Sequence, residues 1–505
     1  MRWFNVVISL IVIGTSTFGL VNAQKRNAIW CFGDSALIDF NIPNAPLVGA
    51  SSVVSRGSCV SIADTNGTLL FYAGTRSGLS GNTTLVFNSA DMIMDNGDSI
   101  VGEGWYKELL ITPIPNFSNL YYLFSIGLTG SSQAGLYYSI IDVNANSGFG
   151  SVIQKNIQLV NFKVVDGISA IKHANGRDFW LIFRNASNFS NGHYKLFISP
   201  NGISNVILSN LGSINTTNAG RYTFSSNGSK LVYVNFKGLL EIYDFDRCTG
   251  LISNPITIHP EPPSSPYPNR FVSSEFSESA RFLYASAYNA SQSALFQYDL
   301  WSANPSGTRD TLEYNPGVSI GNGFLRRGPD EKIYFGRAWE CTAFPQCYPY
   351  PDSVYNSVNM NLSVINYPDS MGANCDYSPF SFYLGGKRTY YGLPNNPDYD
   401  LPALAGSPCD TLVGLYDAPQ IQQAALNVFY HTAWEKAFIN ASNLKGKTGK
   451  LLVYDMQGKV VHSEPLRIQN GYYTRDLSMA GNAKGMYLVA IQTEKEQLTK
   501  KLMVE

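Results

Sequence analysis

The sequence predicts an all-β protein: a β-propeller followed by a small immunoglobulin-like β-sandwich. Two observations carry that expectation. The stretch 224–234, FSSNGSKLVYV, recurs in degenerate form at 66–72, 118–124, 175–181, 279–286 and 330–336. One anchor per copy gives Tyr72, Phe124, Leu181, Tyr233, Tyr284 and Tyr334, spaced 50 to 57 residues apart. A strand-rich repeat of that period implies blades that bury their faces only against neighbours. Beyond residue 425 the pattern changes to short alternating strands, six or seven of them in about 80 residues, which suits a sandwich.

Within the repeat, Asn227-Gly228 is the hairpin signal, expected as a type I′ turn with φ > 0 at both positions. After it, Leu231 and Tyr233 face one side of a strand, and Lys230 and Val232 face the other. A further step beyond Tyr334 reaches a strand at 381–384, so seven blades are expected, with six as the alternative count. Pairing of the first strand with the last blade would close the ring and remove exposed edges. Pro-rich insertions at 258–270 and 341–352 are expected on the rims.

The flanks divide the chain. Residues 1–23 read as a secretory signal: Arg2 gives the positive start, 6–20 the apolar core, and Val21-Asn22-Ala23 the cleavage site. The propeller is assigned to 24–397, a Pro- and small-residue-rich linker to 398–425, and the sandwich to 426–505. No later stretch is apolar for long enough to span a membrane as a helix, so no transmembrane segment is expected in the mature chain. Charged residues make up 14% of the chain and the net charge is −1, leaving no electrostatic basis for binding nucleic acid.

Seven cysteines in an exported chain permit disulfides and leave an odd thiol. Cys341 and Cys347, flanking a Pro-containing loop, are the expected local pair, and Cys59 is expected to be a small buried residue. No CxxC spacing occurs, and the five histidines (His173, His193, His259, His431 and His462) are scattered, so neither a metal nor a cofactor is expected. Gly317-Val318-Ser319-Ile320-Gly321 matches the nucleophile-elbow spacing, but strand pattern follows it where that motif needs a helix. A glycosidase would need two acids about 5–10 Å apart. Asp166, Glu275 and Glu340 are the candidates, and capping of local turns is their simpler role. The ten Asn-x-Ser/Thr sites are read as turn composition.

Several motifs in order resemble a family of exported bacterial propeller proteins. They are Trp30-Cys31-Phe32-Gly33, Ile38-Asp39-Phe40, the run 59–72, the segment 170–181, the connector 245–255 and Gly392-Leu393-Pro394-Asn395. Cys31 stands where that family has an aromatic residue. The C-terminal region resembles the type A sorting domain of the type IX secretion system. The resemblance rests on 452–461, 476–478, 484–489 and 500–504, with Tyr454, Asp455, Gly458, Lys459, Gly485, Tyr487 and Lys501 as the motif residues. It departs at 429–433, where a Tyr-Pro-Asn-Pro run is usual. The resemblance implies the type IX secretion machinery as a partner and the cell surface or medium as destination, reached through the periplasm. It also implies O-glycosylation at Asp-Ser/Thr-aliphatic sites, here Ser35, Ser99, Thr311, Ser353, Ser370 and Thr411.

The resulting expectation is a non-enzymatic secreted or surface propeller that binds a protein or glycan through rim loops. The alternative is a secreted carbohydrate hydrolase or lyase on the same scaffold.

Overall fold

A computed structural model describes residues 25–76, 83–264, 269–289, 292–317, 320–339, 354–410, 424–431, 435–442, 444–468 and 473–504. Nearly all regular structure is antiparallel β. The signal segment 1–23, the pair Cys341 and Cys347, and Glu340, Ser319, Ser353 and Thr411 lie outside these residues.

Among the described residues, seven sheets are formed between Ile29 and Tyr383. The first has three strands, Ile29–Phe32, Asp34–Asp39 and Leu47–Val54. The other six begin with the inner strands Cys59–Ala63, Leu109–Pro113, Ser169–Lys172, Gly220–Phe224, Phe271–Phe276 and Ile320–Arg327. Every sequence anchor from Tyr72 to Tyr334 falls on the second strand of one of these six sheets. Tyr233 shows why the anchor recurs. Leu231 and Tyr233 pack toward the fourth sheet with Ile171 and Trp180, while Val232 and Val234 pack toward the sixth with Leu283 and Phe296. Both faces of a blade strand are therefore buried, and an aromatic ring fills the widening gap between sheets.

The count of seven stands, but its seventh member differs from expectation. The strand at 381–384 is the outer edge of the last sheet, Tyr377–Tyr383, and the additional blade is the N-terminal three-stranded sheet. That sheet closes the ring by packing: Trp30 lies 5.7 Å from Tyr334 of the last sheet, and Tyr334 lies 5.4 Å from Phe382. A single bridge, Asp34 to Arg388, joins the first sheet to the chain leaving the last one, reinforced by the Arg388 guanidinium on the Asp34 carboxylate.

The Asn227-Gly228 turn also differs. Only Gly228 has positive φ, at 72°, and the Ser225 N–H donates to Lys230 O at 3.0 Å. The Asn227 side chain instead accepts the Ser229 N–H at 2.9 Å, giving a longer loop with one left-handed glycine.

The C-terminal sandwich packs the strands Ala425–His431, Lys436–Ser442 and Tyr473–Ser478 over Val460–Arg467, Thr448–Tyr454, Gly485–Thr493 and Gln497–Val504. Ala437, Ile439, Leu451, Val453, Val489 and Ile491 form its core. Strand Lys436–Ser442 escapes the sequence pattern because two of its three inward residues are alanines.

Candidate functional site: the propeller axis and its two ends

Beyond the last sheet the chain turns into the centre of the ring. Residues 388–397, 399 and 401 are buried although they form no strand. Buried backbone outside a sheet must find partners, and the inner strands supply them. The Asn395 N–H donates to Cys59 O at 2.9 Å, and its Nδ2 donates to Leu109 O and Ile168 O, each at 2.9 Å. Ser61 N–H donates to Asn396 Oδ1 at 3.0 Å, and Phe324 N–H to Tyr391 O at 2.7 Å. One asparagine thus ties together the second, third and fourth sheets. Gly392 is required by contact: a Cβ there would lie 2.3 Å from Gly57 Cα. The Gly-Leu-Pro-Asn run is an axial plug.

At one end of the axis the ring is capped by aromatic residues from non-adjacent sheets. Tyr106 precedes the third inner strand, Phe236 lies in a turn of the fifth sheet, and Phe324 is on the seventh inner strand. Tyr106 lies 6.2 Å from Phe324 and 6.4 Å from Phe236. The Arg221 guanidinium is held between Tyr106 (4.1 Å) and Phe324 (4.5 Å), with none of its nitrogens hydrogen-bonded. Ring faces compensate a buried cation in part, and burial still lowers its pKa to about 10.

Three buried carboxyls influence this cap. Burial pushes Glu108 up to about 8 despite hydrogen bonds from the Trp105 and Tyr106 N–H groups. Glu103 is raised by burial while Thr129 donates to it, and Asp166 is raised well above the carboxylate range by burial and by Glu103 and Glu108. Asp166 therefore joins two acids that the sequence reading passed over. Both sit in the compact segment 102–108, GEGWYKE, whose density of charge before an apolar strand was an available signal.

Glu275 belongs to the other end. It lies within inner strand Phe271–Phe276 and lines a cavity of about 470 Å³, rather than capping a turn. Lys107 and Arg326 line the same cavity, as do Asn395 and Ser169. A smaller pocket of about 210 Å³ lies on the sixth sheet, lined by Tyr288, Tyr314, Phe296, Gln292, Arg309 and Asn269.

Among the described residues, metal-ligand types converge at His173, Cys248 and Cys409, but the two sulfurs are joined in a disulfide. That bond spans 161 residues and ties the chain after the plug to the fifth sheet. Neither cysteine carries a local spacing signal. Cys31, Cys59 and Cys375 are free and buried.

The buried path continues past Pro397 to Leu401, where Arg26 pairs with Asp400. Gly317 has φ of 123° and lies just before the seventh inner strand. Of the Asp-Ser/Thr-aliphatic sites, Ser99 and Thr311 are exposed, and Ser35 and Ser370 are half-buried. In the sandwich, Asp455 organises the hairpin: its carboxylate accepts the N–H groups of Gln457 and Lys459 at 3.0 and 2.9 Å, and Gly458 supplies φ of 80°. Tyr454 and Gly485 are half-buried, Tyr487 is buried with its hydroxyl on Ala483 O at 2.6 Å, and Lys459 and Lys501 are exposed.

Comparison with solved structures finds propeller-like proteins. A putative 6-phosphogluconolactonase from Bacteroides fragilis shares 9% identity at a TM-score of 0.41, covering 67% of this chain and 90% of that one. A quinonprotein alcohol dehydrogenase-like protein from Bacteroides thetaiotaomicron shares 10% at 0.39, covering 74% and 79%. The Cps50 (Swd1) β-propeller domain of Myceliophteria thermophila shares 9% at 0.34, covering 62% and 94%. At such distance no activity passes from them to this chain. No curated protein matches it. Residues 434–505 match the family described as the secretion system C-terminal sorting domain, so the chain carries a type IX sorting tail behind its propeller and is directed to the cell surface or the medium.

Proposed function

We infer that the mature protein is a secreted or surface-displayed propeller that binds a protein or glycan in an adhesive or interaction role. The observation that carries this reading is the pocket on the sixth sheet. Tyr314 stands 53% exposed on the outer strand Asp310–Pro316, its hydroxyl donating to Gln292 Oε1 at 2.7 Å. Beside it, the Arg309 guanidinium lies 5.1 Å from the Phe296 ring centre. An aromatic face flanked by amide and guanidinium donors suits the apolar face and hydroxyls of a sugar, or a peptide surface. Binding of the mature chain to a glycan array, compared with Tyr314→Ala, tests this. Binding that the substitution abolishes is the expected result. Unchanged binding by the variant would remove the pocket from the account.

A carbohydrate hydrolase or lyase is the second reading, favoured by the carboxyls Glu103, Glu108 and Asp166. A carboxyl raised to about 8, as Glu108 is, keeps its proton near neutral pH and is suited to donating it to a leaving oxygen. Hydrolysis of a polysaccharide panel that Asp166→Asn eliminates would establish it over the binding role.

A further inference from the structure

The cavity at the open end of the axis holds a lysine that nothing in the export or rim-binding account uses. Lys107 lies two residues before the third inner strand, Leu109–Pro113, and is only 4% exposed. Its ammonium group makes no hydrogen bond or ion pair among the described residues. The Phe324 ring centre is 5.6 Å from Nζ on one side, and the cavity of about 470 Å³ lies on another. Across the axis, Glu275 comes from the sixth sheet and Arg326 from the seventh, both lining the same cavity. The Glu275 carboxylate accepts only the Phe276 N–H at 3.1 Å and the Arg327 N–H at 3.2 Å, which leaves lone pairs for the cavity.

We propose that Lys107 is a nucleophilic amine that condenses reversibly with the carbonyl of a small polyhydroxylated aldehyde or ketone held in this cavity. The volume falls within the ordinary range of about 300–1,000 Å³ for small-ligand sites. The walls suit a polyol: Ser169 offers a hydroxyl, and Glu275 and the amide oxygen of Asn395 offer acceptors. A lysine becomes nucleophilic when desolvated or set beside another cation, and both conditions hold. Burial draws the Lys107 ammonium down to about 7, Glu275 opposing the change while Arg326 and Arg221 add to it.

The step balances without any redox partner. The Nζ lone pair forms a C–N bond to the carbonyl carbon, and the carbonyl oxygen takes up the first of the two protons that nitrogen gives up. Nitrogen passes a proton to Glu275, which returns it to the departing hydroxyl. The C–O bond breaks, water leaves, and an imine links ligand to protein. Hydrolysis reverses the sequence, so the chemistry is covalent capture rather than turnover.

Reductive trapping of the full mature chain tests the proposal. With D-glyceraldehyde and cyanoborohydride at neutral pH, peptide mass mapping should find Lys107 modified at least about tenfold faster than exposed Lys459 and Lys501, because an amine with a pKa of about 7 is about half unprotonated there. Glu275→Gln should slow labelling at Lys107 with no change at Lys459, in protein whose melting is unaltered. Labelling of Lys107 no faster than that of Lys459 in the wild-type chain overturns the proposal whatever the variants do. Equal Lys107 labelling in folded Glu275→Gln protein removes Glu275 from it.

Discussion

Replacing Asn395 by alanine should destabilise the ring far more than its single side chain suggests. The amide nitrogen donates to two carbonyls, Leu109 O on the third sheet's inner strand and Ile168 O just before the fourth's. The side chain is itself buried. Leaving a buried polar group without its partner costs about 1–3 kcal/mol, and two are exposed to that loss, for about 2–6 kcal/mol in total. At about 2.1 cal/mol/K per residue over a ring of roughly 380 residues, the melting temperature should fall by about 3–8 °C. Calorimetry of the mature chain, with the sandwich transition as internal reference, gives the readout. A fall under about 1 °C would mean that the carbonyls are satisfied otherwise and that the plug does not tie the sheets together.

Other perturbations probe separate parts of the molecule. Cys248→Ser should lower ring stability by roughly 3–5 kcal/mol in urea titrations, since the bond closes a very long loop of the unfolded chain. Lys107→Met should alter the pH profile. Between pH 7 and 10.5 the unfolded chain holds the proton at this lysine while the folded chain does not, so wild-type stability gains up to about 1.4 kcal/mol per pH unit on raising the pH. The variant should lack that rise in melts recorded from pH 7 to 9. Deleting 426–505 should leave the protein in the periplasm, as cell fractionation would show. Undiminished surface display would contradict the role of the tail.

Scaffold features were legible because they repeat. Tyr72, Phe124, Leu181, Tyr233, Tyr284 and Tyr334 all lie on second strands buried on both faces, Leu181 and Tyr233 turned toward the preceding sheet and Phe124 and Tyr284 toward the following one, so one demand for burial left one recurring sign. The first blade lacks it: its second strand, Asp34–Asp39, reads DSALID, and the ring that packs there is Trp30 of the preceding strand. That is why the seventh blade was sought at the wrong end. Axial features were not legible. Lys107, Glu275 and Arg326 come from three sheets, Arg221 carries no motif, and Cys248 meets Cys409 across 161 residues. Such groups converge only because the ring closes. Gly392-Leu393-Pro394-Asn395 lies between these cases, visible as a motif while its role depends on Gly57 leaving room for Gly392.

The plug also decides where the ring ends and the exported tail begins. Tyr390, Tyr391, Leu393, Tyr399 and Leu401 are all buried. Burying each such side chain contributes about 1.5–3 kcal/mol, so the five together supply an upper estimate of about 7–15 kcal/mol. That is comparable with the whole stability of an ordinary domain, about 5–15 kcal/mol. The ring therefore cannot be complete at Tyr383, where its last strand stops, although all seven sheets have been made by then. A chain ending at Asp410 retains the plug and the Cys248–Cys409 bond and should melt as the full-length ring does. One ending at Lys387 retains every blade strand and should fail to fold cooperatively. Equal melting of the two truncated chains would show that the blades alone hold the ring, and that residues 388–401 merely occupy its axis.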